Sequence, residues 1–184
     1  HGSGNQVAGR SEVSRVRASE KLRQLMKDRA VVAPGVFDGM SAKLTEQAGF
    51  EAVYASGGAI SRSSGYPDLG LLSFSEICDR LAQIVDVTDL PVIADADTGY
   101  GNALNVHRTM RGYERLGLAA VHLEDQTFPK RCGHLNDKSL VPIEEMTHKI
   151  RVARDAIADP DFTLIARTDA IAVEGFDRAI QRAQ

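Results

Sequence analysis

Tryptophan is missing from the sequence, aromatic residues make up only 5% of it, and cysteine occurs twice in 184 residues. Two thiols cannot build the disulfide framework of a small secreted domain, so a reducing compartment is the default expectation. No apolar run approaches the roughly 20 residues that a membrane-spanning helix needs. Net charge is −3, which leaves no electrostatic footprint for nucleic acid or an anionic lipid surface. Internal repeats, low-complexity tracts and interior linkers are lacking too. What remains is an ordinary globular composition, 43% hydrophobic and 26% charged, long enough for one domain with a sizeable core. The first thirty residues carry seven Lys and Arg against three Asp and Glu, the pattern of a surface helix. His1–Gly4 reads as a tag remnant and residues 1–10 as a flexible lead-in, with a single domain over 11–184.

Short apolar runs alternate with helical patterns. "VVAPG" (31–35), "EAVYASGG" (51–58), "PVIADADTGYG" (91–101), "AAVHLEDQ" (119–126) and "FTLIARTDA" (162–170) read as buried parallel strands ending in polar or glycine residues. Between and around them, helices are predicted over 11–28 (with Val13, Val16 and Leu22 inward), 39–48, 73–87, 103–116, 143–158 and 176–184. Ser73 with Glu76 is a capping-box spacing, Gly49 and Gly117 are stop signals, and Pro142 is a start signal. The repeated strand–helix unit implies an α/β fold with a parallel sheet. A doubly wound sheet and a (β/α)8 barrel both satisfy that pattern. No G-x-G-x-x-G turn follows the first strand, which weakens a dinucleotide-binding reading. Gln184 falls inside a helical pattern and a barrel usually needs about 250 residues, so the expectation is a TIM barrel cut after about its fifth strand.

The chemistry-bearing residues sit at the strand ends. Asp95 and Asp97 alternate along the third run and so face the same side. Two carboxylates that close repel unless a cation joins them, and an all-oxygen set suits Mg²⁺ or Mn²⁺. The plainer reading is that they cap the next helix or line a loop. Glu124 and Asp125 end the fourth run, Arg167 and Asp169 the fifth, and Ser56-Gly57-Gly58 the second, where backbone N–H groups can approach an anion. Four such ends in register read as a ring around one anionic, metal-bound substrate, with Arg167 as a carboxylate clamp.

Residues 127–141 form a long polar segment without periodicity, and loops of that length inside a domain are usually functional. Within it, "PKRCGH" (129–134) places Cys132 among Lys130, Arg131 and His134. That setting reads as an exposed thiol tuned by neighbouring cations, suited to proton donation or nucleophilic attack; a bystander cysteine is the alternative. Cys78 lies on an apolar helix face and reads as structural, His122 as a satisfied core histidine, and His107 and His148 as helix-surface groups.

Together, "YASGG", "YPDLG", "ADADTGYG", "HLEDQ…PKRCGH" and "ARTDA" resemble the isocitrate lyase/phosphoenolpyruvate mutase superfamily, and within it the 2-methylisocitrate lyase branch, from about Ser11 to Gln184. The resemblance implies a (β/α)8 barrel of the phosphoenolpyruvate/pyruvate type, a homotetramer in the complete chain, and a small-molecule carboxylate as the binding partner. It implies Mg²⁺ (or Mn²⁺) at Asp95 and Asp97, with Asp68 and Glu124 holding metal-bound waters. It assigns the substrate carboxylate to Ser56, Gly57 and Gly58, substrate binding to Arg167, an active-site role to Tyr54, and the acid on a mobile gate to Cys132, with Gly133 and His134 shaping that gate. The implied reaction is retro-aldol cleavage of a 2-hydroxy carboxylate, with 2-methylisocitrate split to pyruvate and succinate as the leading expectation. Oxaloacetate acetylhydrolase, 2,3-dimethylmalate lyase and isocitrate lyase are the sibling readings, and a non-catalytic barrel fragment is the other. The base stays open between Tyr54 and a metal-bound hydroxide. The expected location is cytoplasmic, or mitochondrial in a eukaryote.

Overall fold

A computed structural model of the chain describes residues 16–133 and 135–184. The expectations for His1–Gly4, residues 1–10, Val13 and His134 lie outside the described residues.

Five parallel strands pair in sequence order: β1 (Gly35–Val36), β2 (Val53–Ala55), β3 (Val92–Asp95), β4 (Ala120–Glu124) and β5 (Thr163–Arg167). Parallel neighbours need crossovers, and helices supply them. After α1 (Ala18–Met26), α2 (Gly39–Gln47) follows β1. Then α3 (Gly57–Ser63) and α4 (Phe74–Val87) follow β2, α5 (Ala103–Arg115) follows β3, and α6 (Ile143–Ala156) follows β4. Two more helices, α7 (Ala170–Glu174) and α8 (Phe176–Ala183), come after β5. A strand order that advances without reversal is that of a (β/α) barrel; a doubly wound sheet reverses at a switch point. The α/β expectation holds, and the open-sheet alternative does not.

The helix punctuation works as the residues suggest. Ser73 and Glu76 form a reciprocal capping box on α4, and Gly49 and Gly117 leave α2 and α5 at φ 86° and 81°. Asn102 and Asn105 make a second capping box on α5. Two boundaries differ from expectation. Helix α1 begins at Ala18, after Arg17, which is extended (φ −62°, ψ 147°) with its guanidinium committed to Asp159 at 2.5 Å and Asp161 at 2.7 Å; the part of the helix expectation over 11–15 lies outside the described residues. The first strand is two residues long; Val31 and Ala33 pack instead beside Leu22 of α1.

The main core lies between the sheet and its helices. Ile77, Leu81 and Ile84 of α4 and Val106, Met110 and Tyr113 of α5 pack with Val53, Ala55, Val92, Ala94, Val121 and Leu123 of the strands. A second cluster, Leu22 with Ala52, Ala119 and Ala120, closes the amino ends of β2 and β4. The carboxyl ends are left free to carry polar side chains. Every β4 residue is buried, as expected of a strand with a neighbour on each side.

Candidate active site

The carboxyl ends of β2, β3 and β5 and the segment after β4 enclose a cleft of about 330 Å³, within the range of small-ligand sites. Tyr54, Ser56, Gly58, Asp68 and Asp95 line one part of its wall; Lys130, Cys132, Gly133 and Arg167 line another. Residues up to 113 positions apart in sequence, Tyr54 and Arg167 among them, thus share one cavity. Gly57, Asp97 and Glu124 stand beside this wall rather than in it. Gly57 N–H donates to Asp95 Oδ2 at 3.3 Å, and Ser56 caps α3, its Oγ accepting from Ala59 N–H. The glycines after β2 are therefore the first turn of a helix rather than the end of the strand.

Asp95 and Asp97 do reach one cluster, but not by strand alternation. β3 ends at Asp95, and Asp97 sits in the turn beyond it at φ 47°. Its own N–H donates to Asp95 Oδ1 at 3.0 Å, which ties the turn to the strand end. Lys130 Nζ, only 4% exposed, binds Asp68 Oδ1 and lies 2.7 Å from Asp97 Oδ1. Burial would lower the Lys130 pKa, but Asp97 and Asp68 outweigh it and hold the ammonium above its ordinary range. Burial, reinforced by Asp95, pushes Asp97 up to about 6 despite Lys130. Glu124, 2% exposed, is pushed up to about 8 by burial, offset in part by Arg167. Its Oε1 is buried without a hydrogen-bond partner.

Beneath the cleft, Tyr54 Oη and His122 Nδ1 are 2.8 Å apart, and His122 Nδ1 lies 3.7 Å from Asp95 Oδ1. Burial lowers the His122 pKa, so the imidazole is neutral near pH 7. Burial and then Asp95 push the Tyr54 phenol far above its ordinary range, so it enters the site protonated. His122 is a satisfied histidine, as its place in the strand suggested, but it serves the site wall. Tyr113 donates from its hydroxyl to the Asp95 carbonyl at 3.2 Å and meets Tyr100 Oη at 3.1 Å. That pair fixes the backbone behind Asp95, and the sequence offered only two aromatic residues thirteen apart to suggest it.

The segment after β4 is stitched at its base. Thr127 N–H donates to the Ser139 carbonyl at 2.8 Å and Val141 N–H to the Asp125 carbonyl at 2.9 Å. Gln126 Nε2 donates to the Arg131 carbonyl at 2.9 Å and to Asp169 Oδ2 at 2.6 Å, while its Oε1 accepts from Arg131 N–H at 2.8 Å. Over the cleft, a Cβ on Gly133 would overlap Arg167 Nη2. Arg167 is clamped by Glu124 Oε2 at 3.1 Å and Asp169 Oδ1 at 3.0 Å.

Cys132 corrects an expectation. It is 8% exposed, not on the surface, because the segment folds down into the cleft. Its adjacent cations are committed elsewhere: Lys130 is taken by Asp68 and Asp97, and Arg131 faces Asp137 at 3.9 Å. The guanidinium that reaches the thiol is Arg62 of α3, with Nη2 donating to Sγ over 3.5 Å. No local signal marked it, since 70 residues separate the two.

Among the described residues, no three His, Cys, Asp or Glu side chains stand close enough to hold a metal ion as they are. The donor chemistry nevertheless fits a hard divalent cation: Asp68, Asp95, Asp97 and Glu124 supply only oxygen, one Glu124 oxygen is buried without a partner, and Lys130 already provides positive charge between two of the carboxylates.

The family model described as phosphoenolpyruvate phosphomutase matches residues 22–184. The chain belongs to the phosphoenolpyruvate mutase/isocitrate lyase superfamily. Within the superfamily it is 49% identical to the 2,3-dimethylmalate lyase of Eubacterium barkeri over 88% of this chain and 57% of that protein. It is 51% identical to the 2-methylisocitrate lyase of Aeropyrum pernix over 89% of this chain and 53% of that protein. The chain thus spans about half the length of the curated relatives it matches. A crystal structure of 2,3-dimethylmalate lyase superposes with a TM-score of 0.86 at 41% identity, covering 91% of this chain and 57% of that one. Phosphonopyruvate hydrolase in complex with oxalate and Mg²⁺ superposes with a TM-score of 0.84 at 39% identity, covering 91% and 58%. No helix among the described residues is long and apolar enough to cross a membrane.

Proposed function

We propose that this chain supplies the site-bearing part of one (β/α) barrel whose complete form is a divalent-metal-dependent carbon–carbon lyase. Its substrate is a small 2-hydroxy carboxylate, with 2-methylisocitrate first among the candidates. The observation that carries the reading is the seating of Cys132 in the same cleft as Tyr54, Asp95 and Arg167. A thiol delivered there by a folded-down segment is placed to hand a proton to a reacting carbon. The named lyases among the relatives support the reaction class.

In this reading Asp95 and Asp97 would hold Mg²⁺, with Asp68 and Glu124 around it. When bound, the metal supplies Lewis acidity that stabilises negative charge on the oxo-acid half of the substrate. The chain's own residues do the rest. Ser56, Gly57 and Gly58 bind a substrate carboxylate at the start of α3, and Arg167 balances its charge. The 2-hydroxyl gives its proton to Tyr54 Oη as the phenol passes its own to the neutral imidazole at His122 Nδ1, 2.8 Å away; the bond between the hydroxyl-bearing carbon and its neighbour breaks, and the electron pair stays on the neighbouring carbon as an enediolate. Cys132 then gives its proton to that carbon. Burial and Asp95 keep the Tyr54 phenol protonated at rest, so it accepts the hydroxyl proton only as its own moves to His122. The segment 127–141 keeps water away from the carbanion. A part for His134 in the chemistry of that segment belongs to the same reading. A homotetramer in the cytoplasm is the assembly and location that go with this reading.

The sibling reading is 2,3-dimethylmalate lyase, favoured by 49% identity to that enzyme. The deciding experiment incubates the complete natural protein with Mg²⁺ and, separately, 2-methylisocitrate, 2,3-dimethylmalate, isocitrate and oxaloacetate, with products followed by mass spectrometry. Pyruvate and succinate from the first is the expected result. Pyruvate and propionate from the second would move the assignment to the sibling. No product from any of the four would remove the lyase reading.

A further inference from the structure

Three cations line the cleft: Arg62, Lys130 and Arg167. Two already have carboxylate partners within the chain. Lys130 is held by Asp68 and Asp97, and Arg167 by Glu124 and Asp169. Among the described residues Arg62 has no carboxylate partner; its contact in the cleft is the Cys132 sulfur at 3.5 Å. It sits in the last turn of α3 and reaches across Gly58, where a Cβ would lie 3.2 Å from Arg62 Nη1 and 2.7 Å from Asp68 Oδ2. Glycine at 58 therefore keeps open the path by which the guanidinium enters the cleft. A guanidinium is planar, always charged and matched to the two oxygens of a carboxylate. An exposed one, beside a nucleophilic sulfur and facing a cavity of substrate size, is a docking point for an anion that the chain itself does not provide.

We propose that Arg62 binds a second carboxylate of the substrate beside Cys132, so that the cleft selects di- and tricarboxylates over monocarboxylates. This rests on the lyase reading for the identity of the substrate, but the anion site can be tested without turnover. One carboxylate lies at the glycines that open α3, the other at Arg62, and the carbon to be protonated lies between them, next to the thiol. Arg62 is then a specificity residue. It acts on the part of the substrate that varies between the sibling reactions, while the metal-side carboxylates serve the part they share.

The test uses the thiol as its own reporter. Cys132 is alkylated with iodoacetate, an anion, and with iodoacetamide, its neutral counterpart, and site-resolved rates are read by mass spectrometry, with Cys78 on α4 as the internal comparison. Taking the ratio of the two rates cancels any change in thiol reactivity. In wild-type protein the ratio at Cys132 is expected to exceed that at Cys78. Arg62→Gln should lower the Cys132 ratio about fivefold, the scale of one exposed ion pair, while Arg62→Lys keeps most of it. An Arg62→Gln ratio equal to wild type overturns the proposal. In the lyase assay, Arg62→Gln should raise KM for the cleaved substrate more than it lowers kcat; equal KM values would also overturn it. A ratio that falls in a protein that cleaves nothing leaves the anion site standing and removes only the lyase reading.

Discussion

Gly133 and Arg167 are in such close contact that a Cβ at position 133 would occupy the space of the guanidinium Nη2. The segment after β4 lies flat on Arg167 for this reason, and Lys138 Nζ secures it from outside by donating to the Gly133 carbonyl at 2.6 Å and the Leu135 carbonyl at 2.9 Å. Gly133→Ala should displace Cys132 or Arg167 by a fraction of an ångström or more. A misplacement of that order costs about 10²-fold in kcat/KM. The unfolding midpoint should barely move. Steady-state kinetics with the cleaved substrate check this, and near-wild-type kcat/KM would show that Arg167 yields freely.

Lys130 offers a stability prediction. Its ammonium is the cation that joins Asp68 and Asp97 among the described residues, and both carboxylates are largely buried. Removing one partner of a buried ion pair leaves uncompensated charge and costs about 3–5 kcal/mol. Lys130→Ala should therefore lower the free energy of unfolding by about that much in denaturant titrations. Added Mg²⁺ should recover part of the loss, since a divalent cation answers the same two carboxylates. A loss below about 1 kcal/mol would mean that water already screens the pair.

Cys132→Ser tests the proton donor. A hydroxyl is a far weaker acid than a thiol, so turnover should fall by about 10²–10⁴, the usual contribution of a positioned general acid. Substrate binding in the presence of Mg²⁺, followed by calorimetry, should be largely kept. Full activity would take Cys132 out of the chemistry.

Asp159 sets a pH dependence away from the cleft. Burial raises its pKa, but the Ser19 hydroxyl at 2.6 Å, Asp161 N–H and Arg17 outweigh that and hold it below the ordinary carboxylate range. A depressed folded pKa stabilises above the unfolded value and stops doing so as pH falls through the folded value. The contribution of the α1 tether should thus be full at neutral pH, begin to fall as pH enters the ordinary carboxylate range, and be lost only once pH drops below the depressed folded value. Asp159→Asn should destabilise by about 1 kcal/mol at pH 7, with the difference from wild type closing in acid. A difference that stays constant from pH 7 to pH 3 would contradict this account.

Local signals carried most of the fold. Apolar runs ending in polar residues located all five strands, and Ser73, Glu76, Gly49 and Gly117 marked their helix ends because capping chemistry is confined to a few neighbouring residues. The members of the site were legible as polar residues at strand ends. Their arrangement was not. Asp97 reaches its cluster through a left-handed turn that strand periodicity does not foresee. Lys130 finds Asp68 across 62 positions, and Arg62 finds Cys132 across 70. Such pairings depend on how α3 and the segment after β4 fold over the same sheet end. Lys130 and Arg131, next to Cys132 in the chain, are for that reason paired elsewhere, and the guanidinium that meets its sulfur comes from α3.

Gln126 has a consequence of its own. One amide group holds Arg131 at both its N–H and its carbonyl and holds Asp169 as well, and Asp169 in turn holds Arg167. The cover of the cleft and the charge on its floor are therefore geared together. Lifting Arg131 away from Gln126 would slacken the grip on Asp169 and loosen Arg167 in the same stroke. Admission of a ligand and release of a guanidinium to meet it would then be one event, timed by a side chain that touches neither the Asp68, Asp95 and Asp97 carboxylates nor the thiol.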